Sequence, residues 1–228
     1  MRWAVLLFAA VISVACAYAD GVAFDFMMGA WAVERYGSGA GYTTRGGPCL
    51  AADFRLPRGM IAYEATFNYR GYNGVQTDAS VLGLENRLPI YFTGAPLRVY
   101  AAPSLGFWRF AYDFSTFPSY IGGDPDFAFS LGGNLGLRVV AGREGSYLDV
   151  SYGYQGTKVT GPSAFFASRR ILRAKGNIGI TRHVGFGLEA GTVEEGWYFV
   201  ARDTRTTEVL STFYAGSPYL MFGPSFSF

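Results

Sequence analysis

The sequence predicts an all-β fold: a closed antiparallel transmembrane β-barrel of ten strands, with eight strands as the alternative. Three observations predict it. Glycine supplies 31 of 228 residues, while aromatic residues make up 18% and charged residues only 16%. Apolar residues alternate with small and polar ones at period two, in segments recurring roughly every 20 residues. The connections between those segments alternate long and short.

Composition narrows the field first. The apolar and aromatic content is too high for a disordered chain, and this much glycine is hostile to a helix bundle. The formal charge is +2 with no run of Lys or Arg, so nothing suggests a nucleic-acid binder.

Residues 1–19 read as a secretory signal peptide. Met1-Arg2 is the basic start, Trp3 to Ala15 is uncharged and apolar, and Ala17-Tyr18-Ala19 offers small residues for cleavage after Ala19. The barrel then occupies residues 20–228, and Cys49 is its sole cysteine, so no intrachain disulfide can form. Ser13-Val14-Ala15-Cys16 gives the alternative of lipidation at Cys16. No later stretch reaches the roughly 18 consecutive apolar residues of a spanning helix.

The expected strands are 22–36, 49–56, 60–71, 77–91, 97–112, 126–141, 146–157, 168–181, 184–198 and 213–228. Phe127 to Val139 is the clearest: Phe127, Phe129, Leu131, Leu135, Leu137 and Val139 alternate with Ala128, Ser130, Gly132, Asn134, Gly136 and Arg138. Tyr147 to Gln155, Leu172 to Ile180 and Ile61 to Arg70 repeat the pattern. Four connections read as tight turns: 56–59, 92–96, 142–145 and 182–183. Long ones are expected at 37–48, 113–125, 157–167 and 200–212. A soluble sandwich has no reason to sort loops by parity, whereas a membrane barrel has short turns on one side and longer loops on the other.

The polar faces are rich in Gly, Ala and Ser, and the chain has just two lysines, which suits a crowded interior better than a soluble surface. Trp31, Tyr36, Tyr91, Phe92, Tyr100, Phe107, Trp108, Phe110, Tyr112, Trp197, Tyr198 and Phe199 gather near strand ends, as girdles at two lipid interfaces would. With the apolar faces turned to lipid, the lumen receives Asp25, Asp53, Arg55, Glu64, Glu85, Arg87, Arg98, Arg138, Asp149, Arg173, Lys175 and Glu189. The signs balance, six against six. That predicts either salt bridges filling a narrow barrel or a weakly selective polar pore. Arg45, Arg169, Arg170, Arg202, Asp203, Arg205 and Glu208 fall in the expected external loops.

The chain ends in alternating apolar residues with a terminal phenylalanine. Phe222, Phe226 and Phe228 resemble the C-terminal assembly signal of bacterial outer-membrane β-barrel proteins; Pro224 and Pro218 depart from it. Pro218, Met221, Phe222 and Phe228 also resemble OmpW-type barrels over about ten residues, and in general pattern the chain is similar to small OmpW-, OmpX- and Opa-type barrels. The resemblance implies the bacterial outer membrane as location, outer-membrane lipid and the barrel-assembly machinery as partners, and no cofactor.

No catalytic set is legible. His183, the single histidine, falls in a two-residue turn on the short-turn side, away from where a barrel hydrolase would place it. One histidine and one mature cysteine make a transition-metal site improbable. Gly132-Gly133-Asn134-Leu135-Gly136 lies within a strand pattern with no following helix, so it does not read as a phosphate loop. Cys49 reads as a small strand-end residue. The sequence therefore predicts a protein without enzymatic activity. Two roles remain open: a narrow pore or conduit for small solutes or small hydrophobic molecules, or a closed-lumen surface protein binding a host-surface ligand through its external loops.

Overall fold

The computed structural model describes residues 21–32, 34–37, 44–45, 47–74, 77–114, 126–141, 146–160, 166–202 and 207–228. The signal-peptide and Cys16 expectations lie outside these residues, as do most of 37–48 and 113–125 and all of 142–145, 161–165 and 203–206.

Ten strands form the wall: β1 Ala23–Trp31, β2 Gly47–Arg58, β3 Ile61–Gly74, β4 Thr77–Arg87 and β5 Leu97–Phe114. They continue as β6 Asp126–Ala141, β7 Ser146–Thr160, β8 Phe166–Gly179, β9 Val184–Arg202 and β10 Thr207–Ser227. Each pairs antiparallel with its chain neighbours, and β1 pairs with β10, so the sheet closes. Short segments Glu34–Gly37, Thr44–Arg45 and Ile90–Tyr91 add to β10, to β3, and to β3 and β5 respectively.

The register fixes the barrel's shape. From Arg138 the ladder passes through Asp149, Lys175, Glu189 and Met221 to Gly29, then through Cys49, Arg70, Val81 and Phe110. It re-enters β6 at Asp126, a stagger of twelve residues from 138 to 126. Ten strands with that stagger tilt by about 40° and close at a backbone radius of about 10 Å. Long side chains from opposite walls can meet inside such a tube.

Alternation then decides which residues see what. The outward set is apolar and bare: Leu131 is 63% exposed, Leu135 67% and Ile178 68%. Phe26, Met28, Leu50, Phe67, Leu84, Val150, Leu188 and Phe222 belong to the same surface. A strand of ten residues at this tilt raises a belt about 25 Å tall, the height of a hydrocarbon core crossed by a barrel. Inside stand Asp149 at 1%, Arg138 at 3% and Glu189 at 4% exposure. Such an inside-out arrangement is stable only with lipid around it, since water would face several hundred Å² of contiguous hydrocarbon.

The start of β1 and the end of β10 sit at the end of the barrel that carries the turns 59–60 and 180–183. Gly21 N donates to Phe228 O at 2.7 Å, Phe228 N donates to Val22 O at 2.9 Å, and Ser227 N donates to His183 O at 3.0 Å. Gly59 has φ +61°, a left-handed turn position open to glycine at little cost. Pro224 lies on the outward face of β10, opposite Phe186 of β9. The β1 ladder skips Phe26 and Met27 at this point, which fits a residue with no N–H to give.

Two expectations are corrected. The long loops at 157–167 and 200–212 are largely paired strand: β7 and β8 run to Thr160 and from Phe166, and β9 and β10 pair out to Arg202 and Thr207, with a register shift at Phe199/Val200. Above the belt the ladder continues without an apolar pattern to announce it. Arg169 and Arg170 therefore sit on β8, and Arg202 and Glu208 on the β9–β10 hairpin, not in loops. The second correction concerns aromatics. Trp31, Tyr91, Tyr100 and Trp108 point into the barrel, all below 5% exposure. They share the parity of the lumen residues, and parity outranks nearness to a strand end. Phe92 and Phe107 are exposed; side chains of Tyr36, Phe110, Tyr112, Trp197, Tyr198 and Phe199 lie outside the described set.

Candidate functional site

Among the described residues the lumen is where charge is concentrated and buried, so it is the candidate site. Near the turn end, Arg138 of β6 is the keystone. Its Nε donates to Asp149 Oδ2 at 2.7 Å, its Nη1 to the Tyr91 hydroxyl at 2.6 Å, and its Nη2 to Glu64 Oε1 at 2.9 Å. Asp149 is the neighbour across the ladder, but Glu64 stands on β3, three strands away, so this guanidinium reaches across the lumen. Glu64 Oε2 accepts from Arg87 at 2.8 Å, and Arg55 lies 3.8 Å from Oε1. The Tyr100 hydroxyl donates to Asp149 Oδ1 at 2.8 Å, and Arg138 lies over the Tyr147 ring at 5.1 Å. Arg98 lies over the Tyr91 ring at 5.3 Å.

A second cross-link fills the other side. Asp25 and Asp53 face each other directly on β1 and β2, and Lys175 reaches from β8 to both carboxylates, 2.5 Å from Asp53 Oδ2. Two like charges opposite one another in a ladder repel, and the ammonium between them removes the conflict. Glu189 accepts from the Tyr219 hydroxyl at 2.9 Å and lies 4.0 Å from Arg173.

Toward the far end the closure changes character. Gln155 donates through Nε2 to Glu85 Oε1 at 2.9 Å and to Ser104 at 3.2 Å, bridging β7 to β4 and β5. Beyond it, Arg169 stacks on the Trp108 ring at 4.1 Å, and Arg70 lies over Trp31 at 4.8 Å and Trp108 at 5.9 Å. Trp108 Nε1 donates to Ser130 Oγ at 2.8 Å and Trp31 Nε1 to Gly71 O at 3.1 Å, which pins both indoles. The expected lumen residues Asp53, Arg55, Glu64, Glu85, Arg87, Arg98, Arg138, Asp149, Arg173, Lys175 and Glu189 all stand on the inward face.

The sequence reading missed the cap and the tyrosines. Arg169 lies within the expected strand 168–181 and keeps the parity of Arg173 and Lys175, so the alternation read back from Leu172 places it in the lumen. It also stands opposite Glu195 in the ladder. Arg70 was on the polar side of its strand but absent from the lumen set. Tyr91, Tyr100 and Tyr147 carry no alternation signal apart from parity. Of the C-terminal residues, Phe222 and Phe228 face outward, and Phe222 stacks on Phe186 at 6.2 Å. His183 is in the turn that holds the last strand, with Nδ1 2.9 Å from the Ser227 carbonyl oxygen. Cys49 is buried and inward.

No protein-family model matches the chain, and no curated protein matches it in sequence. Solved structures do match. The outer membrane protease OmpT from Escherichia coli is similar over 92% of this chain and 98% of its own, with a TM-score of 0.55 and 8% identity. Neisserial surface protein A aligns over 90% and 99% at a TM-score of 0.37 and 15% identity. The toluene transporter TbuX from Ralstonia pickettii aligns over 92% and 89% at 0.35 and 11%. The last two scores are too low to carry an argument, and the first shows the fold alone. The chain thus has the fold of bacterial outer-membrane β-barrel proteins: all-β, closed, antiparallel and ten-stranded.

Proposed function

We propose that the protein is an integral barrel of the bacterial outer membrane, closed at rest, which acts at its external end as a surface-interaction protein. The observation that carries this reading is the lumen. Arg138–Glu64 and Lys175–Asp25/Asp53 cross it near the turn end, and Gln155–Glu85 with the Trp31, Arg70, Trp108 and Arg169 cap crosses it again farther out. Hydrated ions entering would have to displace directional, charge-assisted bonds of 2.5–2.9 Å among buried groups that satisfy one another. In this reading the end that carries Gly21, Phe228 and the turns 59–60 and 180–183 faces the periplasm, so the tall β9–β10 hairpin points outward. Outer-membrane lipid covers the belt, and Phe222, Phe226 and Phe228 serve recognition by the barrel-assembly machinery. We propose no enzymatic activity and no cofactor.

Liposome swelling tests the closed lumen. Vesicles holding the refolded protein should exclude arabinose as protein-free vesicles do, and swelling at a rate set by sugar size would restore the pore reading. An epitope inserted within 203–206 tests the orientation. It should be labelled by antibody on intact cells; labelling confined to permeabilised cells would invert the topology.

A further inference from the structure

Between the two closures the lumen widens into a chamber of about 70 Å³. One wall is apolar: Ala51, Ile171, Val193 and Met221. The other carries Asn68, Glu85, Arg169, Arg173 and Glu189. On this charged wall the pairing loosens. Arg173–Glu189 is 4.0 Å, against 2.7–2.9 Å for Arg138–Asp149, Arg138–Glu64 and Arg87–Glu64, and the short bonds to Glu85 and Glu189 come instead from Gln155 and Tyr219 at 2.9 Å. Arg173 is 93% buried by complement of its 7% exposure, and its Nε has no hydrogen-bond partner; the amide oxygen of Asn68 has none either.

A buried N–H and a buried C=O without partners, beside a void, define what fills it. The filler must accept from Arg173 and donate to Asn68, and it must bridge a charge pair too long for a direct hydrogen bond. A bare anion accepts but cannot donate, and two carboxylates repel it. An apolar guest satisfies neither group. We infer that the chamber is a binding site for a cluster of ordered water molecules, held at Arg173, Asn68, Glu85 and Glu189 between the two closures. Its volume, several times that of one water probe, allows a few molecules with two to four polar partners each. The inference uses the lumen geometry and does not depend on the external role.

Xenon separates a wet chamber from a dry one, because dry apolar cavities take it up and hydrated polar ones do not. In crystals of the full mature barrel, water peaks should appear within hydrogen-bond reach of Arg173 Nε and Asn68 Oδ1, and pressurised crystals should show no xenon there. Xenon in the chamber, or a chamber without solvent density in well-ordered crystals, overturns the inference. Ala51→Leu gives a second test whose sign decides. If water fills the chamber, the new side chain expels it, strands Arg173 and Asn68, and lowers the unfolding midpoint by about 2–4 °C. A raised midpoint would mean that a dry void had been filled. If this variant does not fold, the xenon experiment on the unaltered protein still decides. A conducting barrel with a wet chamber would sink the closed-lumen reading alone; a dry chamber in a silent barrel would sink this inference alone.

Discussion

At the scale of single residues, the lumen is a set of charges that cannot be removed one at a time. Lys175 shows why. It is 6% exposed and is the ammonium shared by Asp25 and Asp53, themselves 5% and 7% exposed. Lys175→Met would leave two facing carboxylates buried without their cation. The expected loss is about 3–5 kcal/mol, measured by urea unfolding in lipid vesicles. Removing the conflict as well, with Asp25→Asn and Asp53→Asn added, should recover most of it. A triple variant no more stable than the single one would show that the three groups do not act together. Glycine works at the same scale. A Cβ on Gly83 would lie 2.1 Å from a ring carbon of Trp108, and one on Gly136 2.2 Å from a ring carbon of Tyr100, both far inside van der Waals contact. Gly83→Ala should therefore push the indole off Ser130 and Arg169, costing about 1–3 kcal/mol as overpacking. It should also shift the near-ultraviolet circular dichroism of Trp108. An unchanged spectrum would mean that the cap is looser than its hydrogen bond implies.

Strands are where the sequence was most legible, because a membrane barrel writes its fold as parity. Within the belt every outward residue must be apolar, so β6 could be read residue by residue from Phe127 to Val139. That signal fades where the wall leaves the lipid. Paired residues of the expected loops 157–167 and 200–212 carry no clear alternation, so their strand character is not legible in the sequence. Aromatics misled for a related reason: a tryptophan suits an interfacial girdle and a filled lumen equally well, and proximity to a strand end does not separate the two. Trp31 and Trp108 are held inside by parity and by glycines that make room for rings. Partner choice inside was not legible at all. The lumen charges could be listed from sequence, but Arg138 reaching Glu64 depends on the twelve-residue stagger, which only the register supplies. Parity also makes a test at this scale. Leu135→Arg, on the outward face of β6 in the middle of the belt, should destabilise the barrel by about 2–4 kcal/mol in lipid. Leu131→Phe, equally outward, should stay within about 1 kcal/mol because lipid tolerates either side chain. Equal effects of the two changes would argue that this face does not meet lipid.

For the whole molecule, one arrangement explains both surfaces. A tube of ten strands tilted by about 40° is narrow enough for arginines to reach across, yet too wide to be filled by small residues alone. Charge in balanced pairs, with aromatic rings laid over glycine, fills that intermediate width without leaving bare ions. The same tube cannot exist in water, since its exterior is hydrocarbon over the full height of the belt. The central claim is that this lumen is shut by cross-lumen ion pairs and a tryptophan–arginine cap in series. The most direct test is the current through the refolded mature protein in a planar bilayer, recorded after heat-modifiable gel mobility has shown that it is folded. The account predicts insertion with no sustained conductance at moderate voltage. Steady, ohmic openings of the unaltered protein would contradict it, and the lumen would then have to be redrawn as a pore lined by Arg138, Glu64 and their neighbours.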